Sequence, residues 1–365
     1  MKQKWTAEQA NEWYRKQGWL RGCNFIGSDC CSRIDMWQSY GRKGHMETAR
    51  RELKLCQDIG FNTIRVIVEF DVWLQERESF MSVLEEYISI AAEYGQGVML
   101  CLAHEAVICR EETYQPKKLG EQAYAMGYHQ GRWPLSDEER AKTPVHALER
   151  PETREKYLEM VREIVTKYAN DERVICWNVY NEPGISIGKE RSALLVKLMF
   201  ETVRACDPIQ PLCSDICDNN AFDENGVPDW PQYRVGLELS DVISFHCYKP
   251  IDQMIPYIEA MQKHNRPILM TEWLNRISHS DVRDLYPLFY LENIGCWSWG
   301  FVVGKTQTHE PWDALWEQYD RDPSVQLDFT KWQHDLFRPN LRPYDPRELE
   351  IIKRYNTLAA QKMKS

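Results

Sequence analysis

Apolar residues along this chain fall into two alternating patterns: short continuous runs, and longer stretches spaced for one face of a helix. The short runs read LRGCNFI (20–26), NTIRVIV (62–68), GVMLCLA (97–103), RVICWNVY (173–180), QPLCSDI (210–216), DVISFHCY (241–248), PILMTEW (267–273) and IGCWSWGF (294–301). They have strand length and carry many β-branched and aromatic residues, as strands buried on both faces do. Between them, HMETARRELKLCQDIG (45–60) puts Leu and Cys at helical spacing and ends on Gly60, a C-cap residue. SFMSVLEEYISIAAEYG (79–95) and ETREKYLEMVREIVTKYAN (152–170) repeat the scheme, each ending on Gly or Asn.

Strand–helix alternation with short connections implies parallel pairing, and eight strands suffice to close a (β/α)8 barrel. The expected architecture is an α/β, single-domain (β/α)8 TIM barrel over residues 1–365, in preference to two smaller domains. Two long βα loops, one from about His104 to Pro151 and one reading VVGKTQTHEPWDALWEQY, are expected to shape a pocket at the C-terminal face.

The ends of the fourth and seventh runs change the picture. WNVYNEPG (177–184) stops on Asn181, Glu182 and Pro183, and LMTEWLNR carries Glu272. In a barrel these two strand ends face each other across the mouth, so two carboxylates can approach one bond. A pair of this kind suits glycoside hydrolysis, provided one acid stays protonated and the other ionised. Arg65, late in the second strand, and Tyr248, ending the sixth, are expected to favour the charged form of Glu272 and lower its pKa, with that of Glu182 raised. His246 shares the face of Tyr248, and Trp299 offers a flat stacking surface nearer the strand end than Trp297. Each also has a purely structural reading: an internal ion pair for Arg65, hydrogen-bonded core histidines for His246 and His104, core packing for either Trp.

Composition narrows the partners. The chain is 43% apolar and carries a net charge of −10, which argues against nucleic acid or an anionic membrane as partner. MKQKWTAEQANEWYRKQGW has no apolar h-region, and no run reaches transmembrane length, so a cytoplasmic protein is expected unless a leader was cut away before this numbering. The 12 cysteines lack paired CxxC spacing and several lie in strand runs, so reduced, buried thiols are expected. Metal-dependent hydrolysis needs converging ligands, for which only His104 and His246 qualify.

The ordered set Arg65, Asn181-Glu182-Pro183, His246-x-Tyr248, Glu272-Trp273 and Trp299, on strands two, four, six, seven and eight, resembles glycoside hydrolase family 5 and its clan A relatives. GCNFIGSD…IDMWQ (22–38), GKTQTHEPWD (304–313) and WQHDLFRPNLRPYDPRELEIIK (332–353) look like a bacterial branch of cellulase-family barrels, so the resemblance covers nearly the whole chain. It implies a retaining double displacement, with Glu272 as nucleophile, Glu182 as acid/base, Asn181 on the sugar 2-hydroxyl, and neither metal nor organic cofactor. His104 matches the strand-three His of the family; Glu105 beside it is an acid without a place in the pattern.

Asp29 and Asp35 in the first βα loop are expected at a rim that grips a terminal sugar, with Trp37, Lys305, Gln307 and Trp312. The expected substrate is a small β-glucoside or β-mannoside cleaved from its end. An endo-acting β-glucanase, mannanase or xylanase is the alternative. A barrel that binds carbohydrate without catalysis is a different class, against which the presence of both glutamates argues.

Overall fold

Strands β1 (Arg21–Asn24), β2 (Thr63–Ile67), β3 (Gly97–Cys101), β4 (Val174–Tyr180), β5 (Leu212–Cys217), β6 (Ile243–His246), β7 (Ile268–Trp273) and β8 (Gly295–Ser298) close in chain order into one parallel barrel. β8 returns to β1 with Gly22 opposite Trp297. The computed structural model describes residues 3–105, 113–124 and 142–363. Each predicted run coincides with one of these strands, β5 alone reaching one residue beyond its run. Helices on the outside and barrel side chains on the inside bury nearly every strand residue, which is why the runs are continuous rather than alternating.

Eleven α-helices are described: α1 (Ala7–Gln17), α2 (Arg33–Trp37), α3 (Arg42–Asp58), α4 (Phe70–Glu93), α5 (Pro151–Tyr168), α6 (Lys189–Ala205), α7 (Pro231–Leu239), α8 (Ile251–Gln262), α9 (Val282–Leu291), α10 (Asp313–Arg321) and α11 (Pro346–Lys362). α3 buries Met46, Ala49, Leu53 and Cys56, and Gly60 just beyond it has φ +83°, as its C-cap reading requires. α4 begins nine residues earlier than its periodicity suggests, because a non-helical step at Glu76 (φ −136°, ψ 49°) joins an extra segment to the regular helix.

The lower barrel is sealed. α1 starts with a capping box between Thr6 and Gln9 and lays Ala10 and Tyr14 against Met99, Ile175, Cys176, Val242, Leu269 and Trp297. Trp297 is fully buried there. The upper barrel holds polar groups instead, namely Arg65, Asn178, Asp215, Ser244 and Thr271. Pairing slips between Asn178 and Tyr180 on β4, between Phe245 and His246 on β6, and between Met270 and Trp273 on β7. Such irregularities re-aim side chains at strand ends, and here His246 comes to pair with Glu272.

The eleven cysteines among the described residues are free, and Cys109 lies outside them. Cys23–Cys56 and Cys176–Cys213 meet at sulfur distances of 3.9 and 3.7 Å, packing contacts rather than bonds. Among the described residues no helix is long and apolar enough to cross a membrane.

Candidate active site

Arg65 organises the site from below. Its guanidinium is fully enclosed and donates through one nitrogen to Asn24 Oδ1 (2.7 Å) and Glu272 Oε1 (2.9 Å). The other nitrogen donates to Asn181 Oδ1 (2.5 Å) and Asp215 Oδ2 (3.0 Å). One planar fork therefore fixes side chains from β1, β5, β7 and the residue just past β4, a task that the point charge of Lys could not perform. Because Asn181 accepts through its oxygen, its amide Nδ2 keeps its capacity to donate. Its backbone is held at the same level, with the N–H donating to Ala103 O (2.8 Å) and a parallel bridge to His104.

The two glutamates meet at His246. Its Nδ1 lies 2.9 Å from Glu182 Oε1 and 3.5 Å from Glu272 Oε2, while Nε2 lies 3.3 Å from Asp215 Oδ2. The nearest oxygens of the two glutamates can be no further apart than the two Nδ1 distances laid end to end. Tyr248 donates its hydroxyl to Glu272 Oε2 at 2.8 Å. Glu182 stands one residue past Asn181 in the left-handed region, at φ +47°. Its side chain is 18% exposed against 6% for Glu272 and none for Asp215, so it is the carboxylate with the readiest access to water.

Burial and charge compete at each group. Burial disfavours the His246 cation, but the carboxylates of Glu272 and Asp215 outweigh it and raise the imidazole well above its ordinary value. Burial likewise works against an ionised Asp215, yet His246 and Arg65 pull its pKa down. For Glu272 the balance tips the other way. Burial is the largest influence and, joined by the like charge of Glu182, lifts its pKa against the pull of His246, Arg65 and Tyr248. The expectation of a lowered pKa for Glu272 is thus corrected: its partners were identified, but the cost of enclosing the carboxylate exceeds their effect.

The remaining predicted residues divide into two groups. Trp312 packs edge-on against Tyr248, with ring centroids 4.9 Å apart, and both rings touch His334 from the segment after α10. Trp299 is half-buried just past β8, its N–H donating to Trp273 O (2.9 Å). His104 is buried with the guanidinium of Arg33 across its ring, 3.3 Å from both nitrogens; burial first and Arg33 second hold it neutral. Gln307 is buried in its own turn at φ +58°, and Lys305 is exposed on the same loop, its amide donating to Ser28 O (2.9 Å).

Asp35 and Trp37 are corrections. Trp37 is fully buried, donates to Ile67 O (2.8 Å) and packs on Phe80 and Tyr87, so it is a core residue with no face for a sugar. Asp35 accepts from the Cys31 N–H (2.8 Å) and from Gln38 Nε2 (3.0 Å), which turns both its oxygens into the first βα loop. The cue was present: Ser32-x-x-Asp35 is a helix-start signature, and Ser32 does cap α2. Sequence reasoning also missed Asp215, which reads as an ordinary polar residue in a strand run, and His334, whose approach to Tyr248 depends on a long return of the chain.

The profile of the cellulase family, glycosyl hydrolase family 5, matches residues 20–286. The chain belongs to this family. Its members are retaining glycoside hydrolases. No curated protein sequence matches the chain. Among solved structures, an exo-β-1,4-mannosidase from Opitutaceae bacterium strain TAV5 superposes with a TM-score of 0.60 at 15% identity, over 94% of this chain. This chain spans only 60% of the length of that mannosidase. A family 5 mannosidase from Rhizomucor miehei (TM-score 0.55, 12% identity, 95% of this chain and 94% of that one) shares the fold. So does an endo-β-1,4-mannanase from Thermotoga petrophila (0.55, 15%, 92% and 77%). At such identities the likeness is one of fold.

Proposed function

We propose that this family 5 glycosidase releases single β-linked sugars, of mannoside or glucoside type, from the ends of small oligosaccharides or glycosides. Glu272 attacks the anomeric carbon from its cradle of Arg65 and Tyr248, and Glu182 protonates the departing oxygen, then deprotonates the incoming water. The free amide of Asn181 donates to the sugar 2-hydroxyl, and Trp299 and Trp312 flank the ring.

The observation that carries the exo reading is a wall beside His104. Residues 113–124 lie across the ends of β1 and β2: Gly120 exchanges two hydrogen bonds with Gln38 (2.7 and 2.8 Å), Lys117 pairs with Glu69 (3.2 Å), and Tyr114 bonds Asp71. A segment tied down at three points is suited to close one side of a cleft, and a cavity of about 170 Å³ beside it is lined in part by His104, Glu69 and Tyr114. The neighbours' names favour the mannoside. The free, buried thiols suit a reducing compartment, so the reading includes action in the cytoplasm.

End-labelled β-1,4-mannooligosaccharides, with cello-oligosaccharides in parallel, test the reading. Product chromatography should give monosaccharide plus a ladder shortened one unit at a time. Early release of internal fragments would instead establish an endo enzyme.

A further inference from the structure

Glu105, the acid that the sequence pattern left without a place, is fully buried just past β3. Its carboxylate accepts five hydrogen bonds, all from one segment. Oε1 accepts from the Tyr180 hydroxyl (3.1 Å), the Gly184 N–H (3.1 Å) and the Ser192 hydroxyl (2.5 Å). Oε2 accepts from the N–H groups of Ser186 and Ile187, each at 3.1 Å. Ser186 donates in return to the Glu105 carbonyl (2.8 Å). One anion thus collects the donors on both sides of the turn that bears Glu182.

That turn needs holding. Glu182 has φ +47° and Gly184 has φ +89°. A left-handed residue other than glycine costs roughly 1–2 kcal/mol, so the conformation persists only where surrounding bonds over-determine it. A Cβ at Gly184 would come within 2.3 Å of Gln232 Nε2 and force that side chain aside, on top of the strain of the positive φ. Charge-assisted bonds to a buried carboxylate are among the strong ones available for the purpose.

We propose that Glu105 is a positioning residue for proton transfer: it holds the 180–187 turn in the strained form that aims Glu182 at the leaving-group oxygen. This rests on the assignment of Glu182 as acid/base. A residue that merely stabilises the fold would, when altered, reduce all substrates alike. One that aims the acid matters in proportion to how much the leaving group needs a proton.

The test is kcat/KM for the wild type, Glu105→Gln and Glu182→Ala on aryl β-glycosides graded by leaving-group acidity, with a natural disaccharide at one extreme and a dinitrophenyl glycoside at the other. Glu105→Gln keeps the shape but removes the charge and turns an NH2 toward N–H donors. It should lose on the order of 10²-fold on the disaccharide and only a few-fold on the dinitrophenyl glycoside. An equal loss across the series, or none, in a protein that still unfolds cooperatively overturns the proposal. If Glu182→Ala itself shows no leaving-group bias, the acid/base assignment falls first and takes the proposal with it. Should Glu105→Gln fail to fold, Ser192→Ala removes a single bond and should lose a few-fold with the same bias; an unbiased loss overturns the proposal equally.

Discussion

A single guanidinium sets the geometry of this site. Arg65 ties Asn181 and Glu272 to one rigid fork, and Arg65→Lys should lower kcat/KM by at least about 10²-fold, because a point charge cannot hold both groups at once. Steady-state kinetics on an activated glycoside check this; a loss under threefold would mean that the fork is dispensable. The glutamates can be told apart by product stereochemistry. With azide, Glu272→Ala should give a product of inverted configuration and Glu182→Ala one of retained configuration, read by NMR; the same anomer from both would dismiss the roles. Because burial lifts the pKa of Glu272, the acidic limb of the kcat/KM profile should lie above the ~4.3 of an ordinary Glu, activity growing as pH rises through that limb. Residues at strand ends were legible in the sequence because a barrel projects them to one mouth. Asp215 and Glu105 were not, since their meaning lies in partners 150 and 75 positions away.

At the scale of elements, the eight strands were readable because burial on both faces makes each an unbroken apolar run. The helices were read less well where tertiary contacts rather than periodicity decide them. α2 is five residues long, too short to show a helical period, and Asp35 and Trp37 were therefore assigned to a rim loop. Its real task is to plug the space between the barrel and α4 with Trp37, Phe80 and Tyr87. Trp37→Ala should cost ~3–5 kcal/mol of stability and leave the KM of the surviving enzyme unchanged. Thermal unfolding combined with KM decides the matter: a raised KM at unchanged melting temperature would return Trp37 to the substrate. α1 shows the same limit, its polar sequence giving no sign that Tyr14 closes the barrel floor.

For the whole molecule, pH links these local balances to global stability. Asp335 is fully buried against Gly300, and burial pushes its carboxyl from 3.8 up to about 6 although Thr308 and Arg276 pull it down. A carboxyl raised in the folded state contributes stability that is complete below its unfolded value and lost as pH rises through its folded one. The loss from Asp335 therefore falls between about 3.8 and 6. His45, raised by its bond to Asp29, adds stability present below 6.5 and lost above it, and the raised His246 acts in the same direction. Asp215, lowered by His246 and Arg65, contributes stability present above 3.8 and lost only at far more acid pH, so it is silent in this window. The melting temperature should accordingly fall as pH rises from 4 to 8, Asp335 supplying one part of the drop below pH 6 and the buried Glu272 and Glu52, raised in the same direction, the rest. Scanning calorimetry of the wild type and Asp335→Asn across that range measures both parts. The variant should fall less steeply than the wild type between pH 4 and 6 and should retain the decline above 6.5; a wild-type melting temperature that rises toward pH 8, or a variant with an unchanged slope below 6, would show that Asp335 is not held protonated in the folded protein.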